Sequence, residues 1–177
     1  MRAKPQSRAR KIAVAAIMSA LGVVILYIGS IITVLDLTTI AAASFLVVLA
    51  VIELGGPFPW LVWLVTGALG LILLPNKEVA VFYLLFGGPY PIFKAMFERY
   101  HPVVSWILKL SFFNTSLLFI ITAVAYILHF PETELDFRLA IFAVGNAVFV
   151  LYDLAASRII AFYLIKLRRM LRLGSYF

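Results

Sequence analysis

The run IAVAAIMSALGVVILYIGSIITVL, residues 12–35, lies between Lys11 and Asp36 and contains no charged side chain. A stretch of roughly 20 mostly apolar residues can cross the ~30 Å hydrocarbon core of a bilayer as an α-helix. We therefore interpret Ile12–Val34 as the first of several membrane spans. A cleaved signal peptide is the competing interpretation, because a basic segment precedes the run. The run is too long for such a signal, and further apolar runs follow it.

The composition of the whole chain extends this conclusion to the rest of the sequence. Of its 177 residues, 64% are hydrophobic and 13% are charged, whereas soluble domains average about 45–50% apolar and about 25% charged residues. A soluble fold of this size has too little interior for so much apolar surface, so its solvent must be lipid. These figures exclude a secreted disulfide scaffold, a disordered tail and a free nucleic-acid-binding domain. The absence of cysteine excludes thiolate chemistry and iron–sulfur ligation.

Five further apolar runs follow the first, and charged residues, glycines or prolines separate them. They are Thr38–Leu54, Phe58–Leu74, Val79–Phe97, Val103–His129 and Phe137–Leu167. Continuous apolar runs predict helices, because a membrane β-barrel would alternate apolar and polar residues. Since the connections are short, the sequence predicts an all-α integral membrane protein in which residues 1–177 form one compact bundle of six transmembrane helices.

The placement of the charges predicts how the bundle is oriented. The net charge of +7 is concentrated at the two termini and near the connection between the fourth and fifth spans. An even number of spans puts both termini on one side, and cytoplasmic flanks carry an excess of Lys and Arg. The sequence therefore predicts cytoplasmic termini in a multi-pass protein of the plasma membrane, from a prokaryotic cell. The basic residues of that side are Arg2, Lys4, Arg8, Arg10, Lys11, Lys94, Arg99, Lys109, Lys166, Arg168, Arg169 and Arg172.

The sequence contains no signature of catalysis, and we expect neither an enzyme nor a bound metal or cofactor. It has no glycine-rich phosphate loop followed by Lys-Ser/Thr and no Gly-x-Ser-x-Gly elbow. His101 and His129 fall on opposite sides of the membrane, so they cannot form a two-histidine zinc pair. Glu132, Glu134 and Asp136 alternate in an external loop, which is either a solvated acidic loop or a cation site.

Small residues form a stripe on the first span. Ala13, Ala16 and Ala20 recur at steps of three and four residues, and a small-xxx-small pattern lets another helix backbone approach closely. That other helix belongs either to the same chain or to a partner protein. The stripe follows the basic N-terminal arm directly, in the cytoplasmic half of the span. This position favours a partner and makes Ala16 and Ala20 the candidate docking residues.

The fourth span is interrupted near its middle by Gly87-Gly88-Pro89-Tyr90-Pro91. The two prolines lack N–H donors, so backbone carbonyls near residues 85 and 87 lose their helical partners. Such backbone is tolerated within a membrane only where it is buried in protein or lines a cavity. The break is therefore either a kink that serves packing or part of a solute site.

Polar side chains on the fourth to sixth spans favour a solute site. Each one separately is explained by a hydrogen bond between helices, since an amide within a membrane needs a partner or a cavity. Together they cluster in the outer half of the membrane, which indicates an outward-facing pocket for a small, partly aromatic or amide-bearing solute. The candidate substrate-binding residues are Tyr83, Gly87, Gly88, Tyr90, Asn114, Tyr126 and Asn146.

Two basic segments frame the six helices: the start Arg10-Lys11-Ile12-Ala13-Val14-Ala15-Ala16 and the tail Leu167-Arg168-Arg169-Met170-Leu171. Together with the short connections, they resemble the substrate-binding S component of energy-coupling factor (ECF) vitamin transporters. The resemblance covers the whole chain as architecture. It implies that Ala16 and Ala20 dock on a transmembrane coupling subunit, which sits on two cytoplasmic ATPases. It also implies a pocket that opens outward and is lined largely by helices four to six.

These observations predict a membrane-embedded subunit that binds a vitamin-like or other micronutrient for import. Because the sequence has no nucleotide-binding loop, such a subunit would depend on the coupling subunit and the ATPases for energy. We expect a small-molecule substrate and a lipid environment, and no nucleic acid. The alternative is a non-transporting scaffold, similar to the six-helix subunit of bacterial cell-shape machinery. A scaffold would use the same stripe for assembly and would need no pocket.

Overall fold

The computed structural model describes residues 5–128 and 135–167, with side chains described for residues 8–122 except Thr33 and for residues 142–166. All secondary structure in these ranges is helical, which confirms the predicted all-α class. The α-helices are α1 (Pro5–Ile31), α2 (Asp36–Leu49), α3 (Phe58–Leu73), α4 (Lys77–Phe82), α5 (Tyr90–Phe97), α6 (Pro102–Leu128) and α7 (Leu135–Phe162). A 3₁₀ turn at Thr33–Leu35 precedes α2, and π-helical turns follow at Ala50–Leu54, Tyr83–Gly87 and Tyr163–Leu167.

The helices coincide with the six predicted apolar runs, and the fourth run is split between α4 and α5. Among the described residues, five helical segments are long and apolar enough to cross a membrane: Arg8–Ile31, Asp36–Leu54, Lys77–Phe97, Pro102–Thr122 and Phe142–Lys166. The remaining apolar run forms α3, which is only 16 residues long. At 1.5 Å per residue this helix spans about 24 Å. By length and composition, these helices are those of a multi-pass membrane protein.

The chain divides into two compact units, Met1–Lys109 and Leu110–Phe177. In the first unit, α1 packs mainly against α2 and α3. α1 and α3 approach closely at Gly22, as shown by a methyl group added there, which would lie only 2.9 Å from Thr66 Cγ2. The Thr66 hydroxyl donates a hydrogen bond to the Ser19 carbonyl at 3.3 Å. The core of this unit includes Leu26, Ala43, Val47, Val62, Val79 and Tyr83.

The end of α2 is fixed by its own glycines and by a lysine from α1. The Gly55 N–H donates to the Ala50 carbonyl at 3.0 Å and closes the π-helical turn. Gly55 and Gly56 then adopt φ values of 62° and 57°, which side chains disfavour. Lys11 Nζ donates to the Leu54 carbonyl at 3.0 Å, and a cation at a helix C-terminus is favourable. This contact places the basic start of α1 beside the end of α2.

The second unit contains α6 from Leu110 onward and α7. The rings of Phe113 and Phe149 stack with centroids 4.6 Å apart and an interplanar angle of 12°. Gly145 makes this approach possible, because a Cβ there would lie 3.3 Å from Leu117 Cδ2 and 3.4 Å from Phe113 Cζ. Within this unit, α6 and α7 therefore pack through the stacked rings of Phe113 and Phe149, and Gly145 of α7 leaves room for the Phe113 ring.

Candidate functional site

The interruption of the fourth apolar run is a π-helical turn followed by a restarted helix. The Gly88 N–H donates to the Tyr83 carbonyl at 2.7 Å, which is a bond across five residues instead of four. Pro89 cannot donate, and the helix restarts as the N–H groups of Ile92 and Phe93 bond to the Pro89 carbonyl at 3.0 and 3.1 Å. The carbonyl of Leu84 is thereby released from its usual helical partner.

A tryptophan from α3 supplies the missing donor. Trp63 Nε1 donates to the Leu84 carbonyl at 3.1 Å. The indole ring lies so close to Gly88 that a Cβ on that residue would overlap Trp63 Cδ1. On the α2 side, a Cβ at Gly87 would lie 2.5 Å from Ile40 Cγ2. The backbone at the break is therefore buried in protein, which is one of the two environments that the sequence allowed.

The two tyrosines beside the break are also covered by protein. Tyr83 is 0% exposed and lies near Thr66, and Tyr90 is 1% exposed. The Tyr90 ring stacks on Phe86 with centroids 5.3 Å apart. Tyr83, Tyr90 and the two glycines thus lie together at the break, buried in protein. A solute could reach Tyr83 only after the surrounding side chains moved.

Asn114 and Asn146, the candidate residues of the second unit, bind each other. Each amide nitrogen donates to the other residue's Oδ1, at 3.0 Å from Asn114 and 2.9 Å from Asn146. The second N–H of each amide donates to the carbonyl four residues earlier, at Leu110 and at Phe142. All four N–H groups are satisfied within the unit. This geometry favours the interhelical hydrogen bond over a solute site, because all four amide N–H groups already have acceptors. The side chain of Tyr126 lies outside the described residues.

The two candidate docking residues lie on the uncovered face of α1. Ala16 and Ala20 are exposed, whereas Ala15 and Ser19 on the neighbouring positions are buried in the core. The exposed face continues along the helix through Ile17, Leu21, Val24, Ile28 and Ile31. Within the first unit, α2 and α3 therefore pack against the other side of α1, and no described residue of this unit covers the alanine stripe.

An ion-pair network that the sequence did not predict links the end of α5 to α6. Lys94 and Lys109 are 3% and 4% exposed, and both bind Glu98 Oε1, at 2.7 and 2.8 Å. Burial alone would raise the pKa of Glu98, but the hydrogen bonds and charges of Lys109 and Lys94 outweigh it and lower that pKa. The spacing of Lys94 and Glu98, four residues apart on a helix, was the available signal.

A cleft of about 330 Å³ lies at the end of the first unit opposite the Lys11–Leu54 contact. The residues that line it come from the turn before α2, from the start of α2 and from the start of α4. Its walls are mainly apolar and include Ile40 and Phe82, but Asp36 and Glu78 also line it.

Comparison with known proteins gives no relative. The chain matches no protein-family model, no curated protein and no solved structure. The resemblance to ECF S components therefore stays a prediction from the sequence.

Metal ligation has no support in the side chains that the structure describes. Among residues 8–122 and 142–166, no three His, Asp or Glu residues lie close enough together to hold a metal ion. His101 is exposed at the start of α6. Glu132 and Glu134, which with Asp136 were left open as a cation site, lie outside the described residues, as do His129 and the side chain of Asp136.

Proposed function

We propose that the chain crosses the plasma membrane of a prokaryotic cell six times, with both termini in the cytoplasm. Five helical segments have the length and composition of membrane spans, and a bilayer can thin locally around a shorter one such as α3. The charges support this orientation. The Lys11–Leu54 hydrogen bond marks a basic end of the first unit, and Asp36 and Glu78 lie at the other end.

In this membrane, we propose that the protein binds a small solute as the membrane subunit of an importer. A separate transmembrane coupling subunit and cytoplasmic ATPases would energise transport, as in the ECF transporters that the sequence resembles, and the solute would be a vitamin-like micronutrient. The observation that carries the proposal is the exposure of Ala16 and Ala20 on α1, beside buried Ala15 and Ser19.

Exposed alanines suit a protein neighbour better than lipid. Lipid chains are contacted equally well by Leu, Ile and Val, which occupy most other exposed positions of α1. Small residues instead let the backbone of a second helix approach, and this drives association where the hydrophobic effect does not act. The stripe begins one turn beyond exposed Arg8, so a partner docked there would also meet the basic arm. We therefore assign the stripe to a transmembrane helix of the coupling subunit.

The test is a double variant, Ala16→Trp with Ala20→Trp, compared with Val24→Trp with Ile28→Trp on the same exposed face. Indole rings on the stripe should hold the partner helix away, because they fill the space that its backbone needs. We expect the stripe variant to lose uptake and co-purification of the ATPase and coupling subunits, while native mass spectrometry still finds its bound solute. The control variant should keep all three. Equal recovery of ATPases with both variants would contradict the proposal.

The non-transporting scaffold is the second candidate function, and the packing around the predicted pocket favours it. Trp63 and Ile40 fill the space at Gly88 and Gly87, and the two asparagines satisfy each other. A scaffold would use the α1 stripe for assembly and hold no solute. Recovery of single-span morphogenesis proteins with consistently empty protein would select this function, and recovery of ATPases with a retained small molecule would exclude it.

A further inference from the structure

The cleft beside α2 and α4 has the size and the walls of a small-molecule site. Its volume of about 330 Å³ lies within the range of about 300–1,000 Å³ that is usual for ligand pockets. Val34, Ile40, Val79 and Phe82 provide apolar walls. Ile40 also packs on Gly87. A solute in the cleft would therefore sit one side chain away from the helix break that the sequence singled out.

The charge in this cleft is negative and is not neutralised by the described residues. Asp36 Oδ1 is shielded from solvent and accepts no hydrogen bond. Lys77, the nearest base in the sequence, instead donates to the carbonyls of Ile72 and Leu74 at the end of α3. Among residues 8–122 and 142–166, neither Asp36 nor Glu78 forms an ion pair. A shielded carboxylate oxygen without a donor is costly unless a donor arrives from outside.

The positions of the two acids at helix starts explain only part of this arrangement. Asp36 begins α2, and Glu78 lies in the first turn of α4, where the helix dipole favours negative charge. The dipole does not require that both acids line one cleft, nor that an oxygen of Asp36 be withdrawn from water. A positively charged or hydrogen-bond-donating neighbour in the cleft would account for both features.

We propose that this cleft binds a small organic cation. The positively charged nitrogen would donate to the Asp36 and Glu78 carboxylates, and the apolar body would contact Ile40, Val79 and Phe82. A metal ion fits less well, because hard cations take six or more oxygen ligands and this cleft offers two carboxylates in an apolar wall. An anion would be repelled. This inference rests on the proposed function and names the class of solute that the subunit captures.

The experiment uses the full chain in detergent and three probes of similar shape: phenethylammonium, neutral 2-phenylethanol and anionic 3-phenylpropionate. Calorimetry at neutral pH should detect binding of the cation in preference to the other two. Asp36→Asn and Glu78→Gln should each weaken it by about tenfold or more, because each removes a charge-assisted hydrogen bond. Glu98→Gln, an acid outside the cleft, is the matched control and should leave the affinity unchanged.

The outcomes separate this inference from the proposed function. Equal binding of the cation and the alcohol, no binding of any probe, or full affinity in both cleft variants would each overturn the cation site. Two variants are tested because Asp36→Asn could fail to fold, which its melting temperature would reveal. A neutral or anionic molecule retained in native mass spectrometry would overturn the inference but leave the solute-binding function standing. Cation binding by a protein that recovers no ATPase subunit would support the cation site and contradict the importer function.

Discussion

At the level of single residues, Gly88 and the indole ring of Trp63 are so close that only a hydrogen atom fits between them. The same indole donates to the Leu84 carbonyl, which the π-helical turn has left without its usual donor. One side chain thus supplies both the hydrogen bond and the packing at the break, and a glycine at position 88 is needed to admit it.

Replacing Gly88 by alanine should destabilise the protein by about 1–3 kcal/mol, because a new methyl group would force the ring to move. The matched control is Gly70→Ala in α3, where the added Cβ would lie 3.5 Å from Ala80 Cβ, an ordinary contact. This control should be neutral or stabilising by up to about 1 kcal/mol, since alanine favours a helix. Thermal melting in detergent measures both effects, and equal melting temperatures would contradict this account of the break.

Glu98 makes the stability of the first unit dependent on pH. Its pKa is lower in the folded protein than the ordinary value of 4.5. Its stabilising contribution is therefore complete above that value and is lost as the pH falls through the lowered pKa. The side chain is 45% exposed, so screening limits the expected contribution to about 1 kcal/mol, or about 2–4 °C in Tm.

Melting curves of the wild type and of Glu98→Gln between about pH 7 and about pH 3 measure this contribution. The wild type should melt at a higher temperature above pH 4.5, and the difference should close at the acidic end. A difference that persists in acid would show that the ion pairs with Lys94 and Lys109 are not its cause.

At the level of helices, the Asn114–Asn146 pair links α6 to α7 through two hydrogen bonds. Replacing either residue alone with leucine leaves the other amide without its partner and should cost about 1 kcal/mol. Replacing both should cost less than the sum, because no amide then remains unsatisfied. A double-mutant cycle of melting temperatures tests this coupling. Additive losses, together with lost solute binding, would instead favour the pocket that the sequence predicted.

The helices themselves were predictable, because apolar runs bounded by charges, glycines and prolines are local information. The break at Gly87-Gly88-Pro89 was also predictable, since the prolines cannot donate. The hydrogen-bond donor at the break was not predictable, because Trp63 reaches the Leu84 carbonyl only when α3 packs beside the π-helical turn. Trp63 belongs to a different apolar run, so the sequence could not reveal this contact. The pairing of the asparagines was likewise one of two open interpretations until the rotation of α6 and α7 was known.

For the molecule as a whole, the first unit carries a basic end and an acidic end. Lys11, Lys94 and Lys109 mark one end, and Asp36 and Glu78 mark the other. The sequence predicted the basic end from the order of the Lys and Arg residues along alternating helices. It could not predict the cleft, because Asp36 and Glu78 belong to different helices. Only the packing of the two helix starts brings their carboxylates to one cavity.

Labelling of single cysteines tests the orientation, and the chain has no native cysteine to interfere. Pro75→Cys and His101→Cys are suitable, because both positions are exposed and lie in connections at opposite ends of the first unit. With cytoplasmic termini, a membrane-impermeant maleimide should label position 75 in intact cells and position 101 only after lysis. The reverse pattern would place the termini outside.

The π-helical turn at Tyr83–Gly87 also decides where this part of the chain can be shortened. Its bond from Gly88 to Tyr83 spans one residue more than an α-helical turn. Loss of one residue between Tyr83 and Gly88 would restore the α-helical spacing and leave α5 in its present orientation. Loss of one residue within α5 would instead rotate Glu98 by about 100° away from Lys109. Sequences that keep the ion pairs of Glu98 can therefore carry a gap at the turn but not within α5.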